Sequence, residues 1–483
     1  MKIKSISVFT AIFIFAVFLC LPCKAQTATK EMPVTTSSNE ALKAFMEGRV
    51  EFENSQLTKA ADLFKKAIKL DTDFALANLY LSFSDGSFYP EKFEKAISLK
   101  GKVSKGEQIF LEMFDNQRKG NGTEMDKNCQ TYAELYSKDA RTQFILGSYI
   151  YNGNDEKAFY YLKKAIELDK DFGPAYMALG LQYQGIHNFS EAEKNFLRYA
   201  ELLPNHPNPL QQLGTFYREE GNLDKALEFY SKMFKLDPST ETYLMIGNCY
   251  IFKGDFKEAR ENYMKGYEKA ANEDEKISAL DNNALSYVFE GNMEGSLVAY
   301  DKFRDLAEKY KRYDLVIDSY HNQLWVSLIF NDIPKAQTYL NKAEGNIRTS
   351  AINDVDRKTY EESNPVWRGF YLIYASDYAG AEKELESYKT IVEQRKMPSE
   401  MESLNLLFGF SRLRQQRYDQ AIEFLLKGGN YYNTWYYLGA AYEGKGEKEK
   451  AKEYFSKVAS SNLLTLNLAS VRSLAIEKLK KYK

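Results

Sequence analysis

The chain has 483 residues, 44% of them hydrophobic and 27% charged, with 36 Tyr and 31 Phe against only 11 Pro and 3 His. It is too long for one ordinary core and too apolar for a disordered chain, so its apolar residues must be buried in several domains or in one elongated repeat array. A formal net charge of -2 leaves no basic excess to attract a phosphate backbone, which argues against nucleic-acid binding as a main role.

Residues 1–25 have the layout of a secretory signal. Lys2 and Lys4 precede a nearly uncharged stretch from Ser5 to Cys23, and the small residue Ala25 places cleavage before Gln26. Two other readings stay open: an uncleaved membrane anchor, since about 20 apolar residues span a bilayer, and a lipid-anchored start at Cys20 or Cys23. Cleavage removes three lysines and no acid, taking the formal charge from -2 to -5. The mature protein is then exported, periplasmic or attached to a cell envelope, with no membrane span left. Residues 26–38 are rich in Thr and Ser and read as a flexible leader.

Helical periodicity begins at Asn39. Residues 39–270 read as a first array, with faint landmarks over 84–138, where helices are expected near 104–118 and 124–136. The pattern is clearest from 173 to 238. Gly180 and Gly214, Ala192 and Ala226, and Pro204 and Pro238 each stand 34 residues apart. Within one period Leu213, Phe216 and Tyr217, then Leu223, Ala226, Phe229, Tyr230 and Met233 follow helical spacing on either side of Gly221. This predicts two amphipathic helices joined by a tight turn, with Gly221 at a positive φ and Pro238 ending the second helix. Gly214 and Ala226 let the two helices approach closely. Asp255 and Glu258 have the spacing of a capping box. Residues 271–462 read as a second array of longer helices, since Gly254 and Gly291 are 37 residues apart. Residues 463–483 read as a capping helix.

These landmarks resemble the tetratricopeptide repeat, whose 34-residue pattern runs through a bulky residue, Leu-Gly, Tyr, Gly-Asp-Tyr, Ala, an aromatic, Ala and Pro. Further copies stand at Gly247, Tyr250, Gly254, Asp255 and Phe256, and at Trp435, Leu438, Gly439, Tyr442 and Gly446. The resemblance implies an all-α, right-handed superhelical solenoid of about ten to twelve stacked helix-turn-helix units. It also implies a concave groove lined at the second, fifth, ninth and twelfth positions of each unit. In this chain the partner groove would include Phe144, Ser148 and Tyr151, then Gln211, Thr215 and Arg218, then Leu244, Asn248 and Ile251. Members that clamp a carboxylate use Lys and Asn at such positions, and only Asn248 fits.

Catalytic, metal and cofactor motifs are lacking. His187, His206 and His321 show no metal-ligand spacing, and neither a phosphate loop nor a serine elbow occurs. Asp71-Thr72-Asp73 begins like a calcium loop but lacks the glycine at its sixth position. Cys129 and Cys249 read as small buried hydrophobes, not a disulfide. Most tyrosines fall on packing positions; Tyr431, Tyr432, Tyr436 and Tyr437 crowd one segment and could form an exposed aromatic patch. The expected function is a non-catalytic scaffold in a bacterial envelope that binds a protein or an extended peptide. The alternatives are a solute or glycan receptor using those aromatics, and an enzyme whose site would gather acids with perturbed pKa.

Overall fold

The computed structural model describes residues 31–84, 88–151, 153, 156–395 and 397–482, so the signal reading of residues 1–25 lies outside the described residues. Among the described residues there are twenty-five α-helices and no strand, and the chain is an all-α array of helical hairpins. It divides into two compact units that part between Asn188 and Phe189. The division expected at 270/271 marks the change in helix length, which falls at α15 (Glu273–Glu290). Longer helices alter the size of a hairpin without interrupting the stacking, and the helices on either side of residue 270 pack directly on each other.

The first unit holds α1 (Asn39–Glu53), α2 (Leu57–Leu70), α3 (Ala75–Leu81), α4 (Pro90–Ser98), α5 (Lys105–Arg118), α6 (Gly122–Leu135), α7 (Ala140–Ile145), α8 (Glu156–Leu168) and α9 (Gly173–Gly185). A π-helical turn, Leu146–Ile150, extends α7. The second unit begins with α10 (Phe189–Leu202), α11 (Pro207–Glu219), α12 (Leu223–Leu236), α13 (Thr240–Lys253), α14 (Phe256–Lys269), α15 (Glu273–Glu290), α16 (Met293–Lys309), α17 (Tyr313–Ile329) and α18 (Ile333–Thr349). It continues with α19 (Asp354–Tyr374), α20 (Tyr378–Arg395), α21 (Pro398–Arg414), α22 (Tyr418–Leu425), α23 (Tyr432–Gly444), α24 (Lys448–Ser460) and α25 (Leu466–Lys480). Helices α11 to α14 have 13 or 14 residues, and α15 to α19 have 17 to 21, as the wider glycine spacing implied.

One contact explains most of the repeat pattern. A side chain at Gly214 would collide with the ring of Tyr230, one at Gly247 with Tyr263, and one at Gly439 would come within 2.7 Å of Phe455. In each hairpin a large ring on the second helix lies against bare backbone of the first, so the bulk of one residue requires the absence of the other. The turns follow a second rule. Gly254 and Gly291 end their helices at φ of 85° and 81°, and Lys311, Asn331, Ser376 and Gln416 take the same left-handed conformation at 59° to 64°. Where a residue other than glycine bears that strain, the geometry persists and the sequence landmark disappears.

Two local expectations differ from the structure. Asp255 is the N-cap of α14 but its side chain makes no capping bond, whereas Ser104 and Glu107 form a full capping box on α5. Glu107 also tethers the segment read as a flexible leader. Thr35 donates its backbone N–H and its hydroxyl to the Glu107 carboxylate, at 2.8 and 2.5 Å, and Thr36 Oγ1 and Ser37 N donate to Asp71 Oδ2 at 2.6 and 2.7 Å. Polar composition alone leaves a segment free only when no buried acceptor awaits it.

Candidate functional site: the inner helices of each unit

In each unit a cavity opens among the first helices of successive hairpins. The cavity of the first unit has a volume of about 230 Å³ and is walled by Phe52 of α1, Leu79 and Tyr80 of α3, Phe83, Phe114 of α5 and Tyr149 of the π-helical turn. The Phe52 ring meets Tyr80 and Tyr149 edge-on, at 5.2 and 5.7 Å between centroids. Gln117 also lines it and donates through Nε2 to the Tyr149 carbonyl at 3.1 Å, fixing that wall. Apart from this amide the lining is apolar, suited to a hydrophobic side chain.

The cavity of the second unit also measures about 230 Å³ and is lined by Trp325 of α17, Trp367 and Phe370 of α19, Leu406 and Leu407 of α21, and Tyr431, with Ser403, Asn433 and Asn467 supplying polar atoms. Trp367 is backed by His321, whose ring stacks on it at 4.3 Å with the planes 8° apart. Burial pushes the His321 imidazole down to about 4, so it is neutral at ordinary pH. Neither Trp325 Nε1 nor His321 Nε2 meets a hydrogen-bond acceptor among the described residues. The Trp325 indole N–H, in the cavity wall, would gain from an acceptor carried in by a ligand.

None of the nine groove residues implied by the family resemblance lines these two cavities, while Tyr151 lines another, of about 510 Å³, with Asp126, Lys157 and Tyr161. Phe144 is packed in the core against Tyr149 and Phe172, and Tyr151 stacks on Tyr161 and donates to Asp126 Oδ1 at 2.6 Å. Ser148 sits inside the π-helical turn, with its hydroxyl buried. Tyr149, in the same turn, lines the first cavity. In the second unit Gln211 donates to Glu241 at 3.0 Å, Thr215 pairs with the Tyr230 hydroxyl at 3.0 Å, and Asn248 Oδ1 accepts from Tyr263 OH at 2.8 Å. Arg218 is 6% exposed and Ile251 3% exposed, and Leu244 packs against the same apolar cluster as Ile251.

The tyrosine run is not an exposed patch. Tyr437 is buried and stacks on Phe410 at 4.4 Å, Tyr436 packs on Phe455, and Tyr431 faces the cavity. The sequence did carry a signal for this site, in that two of the chain's three Trp line it. Cys129 and Cys249 are both buried and free, and burial raises their thiols to about 11 and about 12, keeping them protonated.

Three acids with raised pKa stand on inner helices of the second unit, Glu241 of α13 among them, raised by burial. Burial lifts Asp281 of α15 and Asp318 of α17 to about 6, Asp318 despite a 3.1 Å hydrogen bond from Tyr360 OH. Neither lines the two cavities. A folded-state pKa above the unfolded value of about 3.9 means that the folded chain holds extra protons between pH 4 and 6. Stability from this source is full below pH 4 and is lost as pH rises through 6. Asp318→Asn is therefore expected to match wild type in melting temperature at pH 4 and to exceed it by pH 7. The gain is on the order of 1 kcal/mol, allowing for partial solvent screening. A difference in melting temperature that stays flat across pH 4 to 7 would refute the assignment. His321 gives the opposite slope, but it is present in both proteins and cancels in the difference.

Among the described residues no group of three or more His, Cys, Asp or Glu is arranged to hold a metal ion, and no helix is long and apolar enough to cross a membrane. The architecture is that of a helical-hairpin repeat protein. Residues 208–240, 240–268 and 432–463 match the pattern of the tetratricopeptide repeat family, so the chain carries repeats of that type. The human "Cell division cycle protein 16 homolog" is 25% identical over 217 residues, which cover 43% of this chain and 31% of the relative; the mouse protein of that name is 24% identical over 216 residues. The chain thus spans about a third of the length of these curated relatives. Among solved structures, yeast Tom70 is 14% identical, covers 91% of this chain and 95% of its own, and has a TM-score of 0.38. YrrB, described as a TPR protein with an unusual peptide-binding site, is 23% identical, with 37% of this chain and 91% of its own covered and a TM-score of 0.29.

Proposed function

We propose that this protein is a non-catalytic scaffold that binds partner proteins on the inner helices of its hairpin arrays. The observation that carries this reading is a pair of apolar, ring-lined cavities, one in each unit, walled mainly by the first helices of successive hairpins. Cavities lined by rings, with few polar atoms, accept apolar or aromatic anchor side chains, the residues that dominate binding energy in protein interfaces. The charged, apolar, then small layout of residues 1–25 supports placing this activity outside the cytoplasm, at a bacterial envelope. The test is a crosslinking pull-down with residues 26–483 from an envelope extract of the source organism. A specific protein partner retained by the wild type and lost on Trp367→Ala or Phe114→Ala is expected. A partner captured equally by wild type and both variants would overturn the reading. A solute or glycan receptor is the second reading, favoured by Asn433, Asn467 and Ser403 beside Trp325 and Trp367. Saturable binding on a glycan panel with no protein partner would support it.

A further inference from the structure

Of the chain's 36 tyrosines, Tyr160 of α8 is the one that is exposed among the described residues, at 58%. The others sit in the cores or at half-buried packing positions, so this ring breaks the habit of the chain. It borders the cavity of about 510 Å³ formed by α6, by Tyr151 just after the π-helical turn, and by α8. Both α6 and α8 are the second helices of their hairpins, and this cavity shares no residue with the two ring-lined cavities of the inner helices.

Other hairpins show what packing asks for at this place. Tyr217 stacks on Phe229 with the planes 14° apart and Lys225 Nζ 4.5 Å from its centroid, and Tyr442 stacks on Tyr454 at 10° with Lys450 Nζ at 4.9 Å. Tyr151 repeats the arrangement, stacked on Tyr161 at 8° with Lys157 Nζ at 4.6 Å. The residue before the stacked ring is Glu228 in the first case and Glu453 in the second, each paired with a lysine four residues on, Lys232 and Lys457. In the third it is Tyr160, and the lysine four residues on, Lys164, has its Nζ 5.8 Å from the Tyr160 ring. The hairpin is served elsewhere by a solvated ion pair, so its packing does not call for the exposed ring.

The remaining walls are polar. Asp126 Oδ1 accepts from the Tyr151 hydroxyl at 2.6 Å, and Lys157 Nζ donates to Oδ1 and Oδ2 at 3.1 and 3.2 Å. The Tyr151 hydrogen bond holds the Asp126 carboxyl below its ordinary value, so it is ionised, and Oδ2 can accept again. Gln130 stands one turn from Asp126 on α6, and Glu156 one turn from Tyr160 on α8, adding an amide and a second carboxylate. A ring face beside several hydroxyl acceptors suits a flat guest with C–H bonds on one face and hydroxyls around its rim. We propose that this cavity binds a neutral hexopyranose ring, its C–H face on Tyr160 and its hydroxyls donating to Asp126 and Glu156. A cationic side chain, the other guest a bare tyrosine attracts, is opposed by the ammonium groups of Lys157 and Lys164 at the same place. The site is independent of the scaffold reading and lets one chain hold a sugar and a protein together.

The probes are cellotetraose, mannotetraose and chitotetraose with their free monosaccharides, each titrated by calorimetry into the full chain. At least one sugar is expected to bind saturably, with an affinity indifferent to salt because the guest is uncharged. Tyr160→Ala is expected to weaken it about tenfold and Glu156→Gln to weaken it several-fold, while Tyr160→Phe keeps it. The melting temperature of Tyr160→Ala should equal that of wild type, since the ring is exposed, so the lost affinity reads the contact and not the fold. A monosaccharide that binds as tightly as its tetrasaccharide identifies a free sugar as the guest; binding of the tetrasaccharide alone identifies a glycan. The proposal is overturned if no sugar binds, or if binding survives Tyr160→Ala unchanged. Loss on Trp367→Ala but not on Tyr160→Ala would overturn it too, placing the sugar in the cavity of the second unit. Salt-sensitive binding of tetralysine that depends on Tyr160, with no sugar bound, would replace it by a cationic peptide. None of these failures touches the pull-down, whose outcome is read on Trp367 and Phe114.

Discussion

Arg141→Met is expected to destabilise the first unit by about 3 kcal/mol, because it leaves a buried carboxylate without its main partner. Glu53, at the end of α1, is 2% exposed and accepts from Arg141 Nε at 2.6 Å and Nη2 at 3.2 Å, a two-pronged contact with only Arg49 Nε, at 3.9 Å, as reserve. The methylene stem of Met replaces the packing of arginine over the Phe172 ring, so the loss isolates the charge. The double variant Glu53→Gln with Arg141→Met is expected to lose less than Arg141→Met alone, since no unpaired charge remains. The three tryptophans, Trp325, Trp367 and Trp435, all lie in the second unit. Urea unfolding followed by far-UV circular dichroism should therefore show an earlier transition while tryptophan fluorescence keeps its midpoint. An unchanged dichroism midpoint would refute the buried pair.

Gly214→Leu is expected to have the largest effect in the second unit, a loss of about 1 to 3 kcal/mol or more from overpacking. The Tyr230 ring fills the space a side chain at 214 would need, and it is fully buried with its hydroxyl engaged by Thr215. The ring has nowhere to retreat, so the two helices of the hairpin must separate. Here the tryptophan signal should move and the dichroism of the first unit should not. Gly345, with nothing within 4 Å of an added side chain, is the control: it is half-buried in helix α18, and Gly345→Ala is expected to be neutral or slightly stabilising. A melting temperature for Gly214→Leu equal to that of the wild type would mean that the hairpin register is wrong.

The fold was legible because its determinant is short-range. Gly214 with Tyr230, and Gly247 with Tyr263, lie sixteen residues apart in one hairpin, and such a pair leaves its mark directly in the sequence. The helices expected near 104–118 and 124–136 are found as α5 and α6 for the same reason. The site was less legible because it depends on two features with no local signature. The π-helical turn at Leu146–Ile150, which carries Tyr149 of the first cavity, has no mark in the sequence. In the second unit Arg218 and Ile251 were placed in a groove by resemblance to the repeat family; both are buried, and Asn462 from the far end of the unit bonds to the Arg218 carbonyl. The last helix was recognised as a cap from its apolar residues. That Leu468 and Val471 share a cluster with Ile251 and Leu324, and Ala469 one with Ala284 and Val326, is seen only when the whole unit is in view.

The hydrogen bond from Asn462 to Arg218 joins residues 244 apart in the chain. Hairpin arrays fold quickly because nearly every contact is between neighbours, and each new hairpin can settle on the one before it as it is synthesised. The second unit departs from that rule. Its inner helices can be complete long before residue 472 exists, and during that interval α13, α15 and α17 present an apolar surface that only a later part of the chain will cover. For a growing or translocating chain this is a period of exposure to aggregation and to chaperones alike, and its length is set by the time needed to make the intervening hairpins.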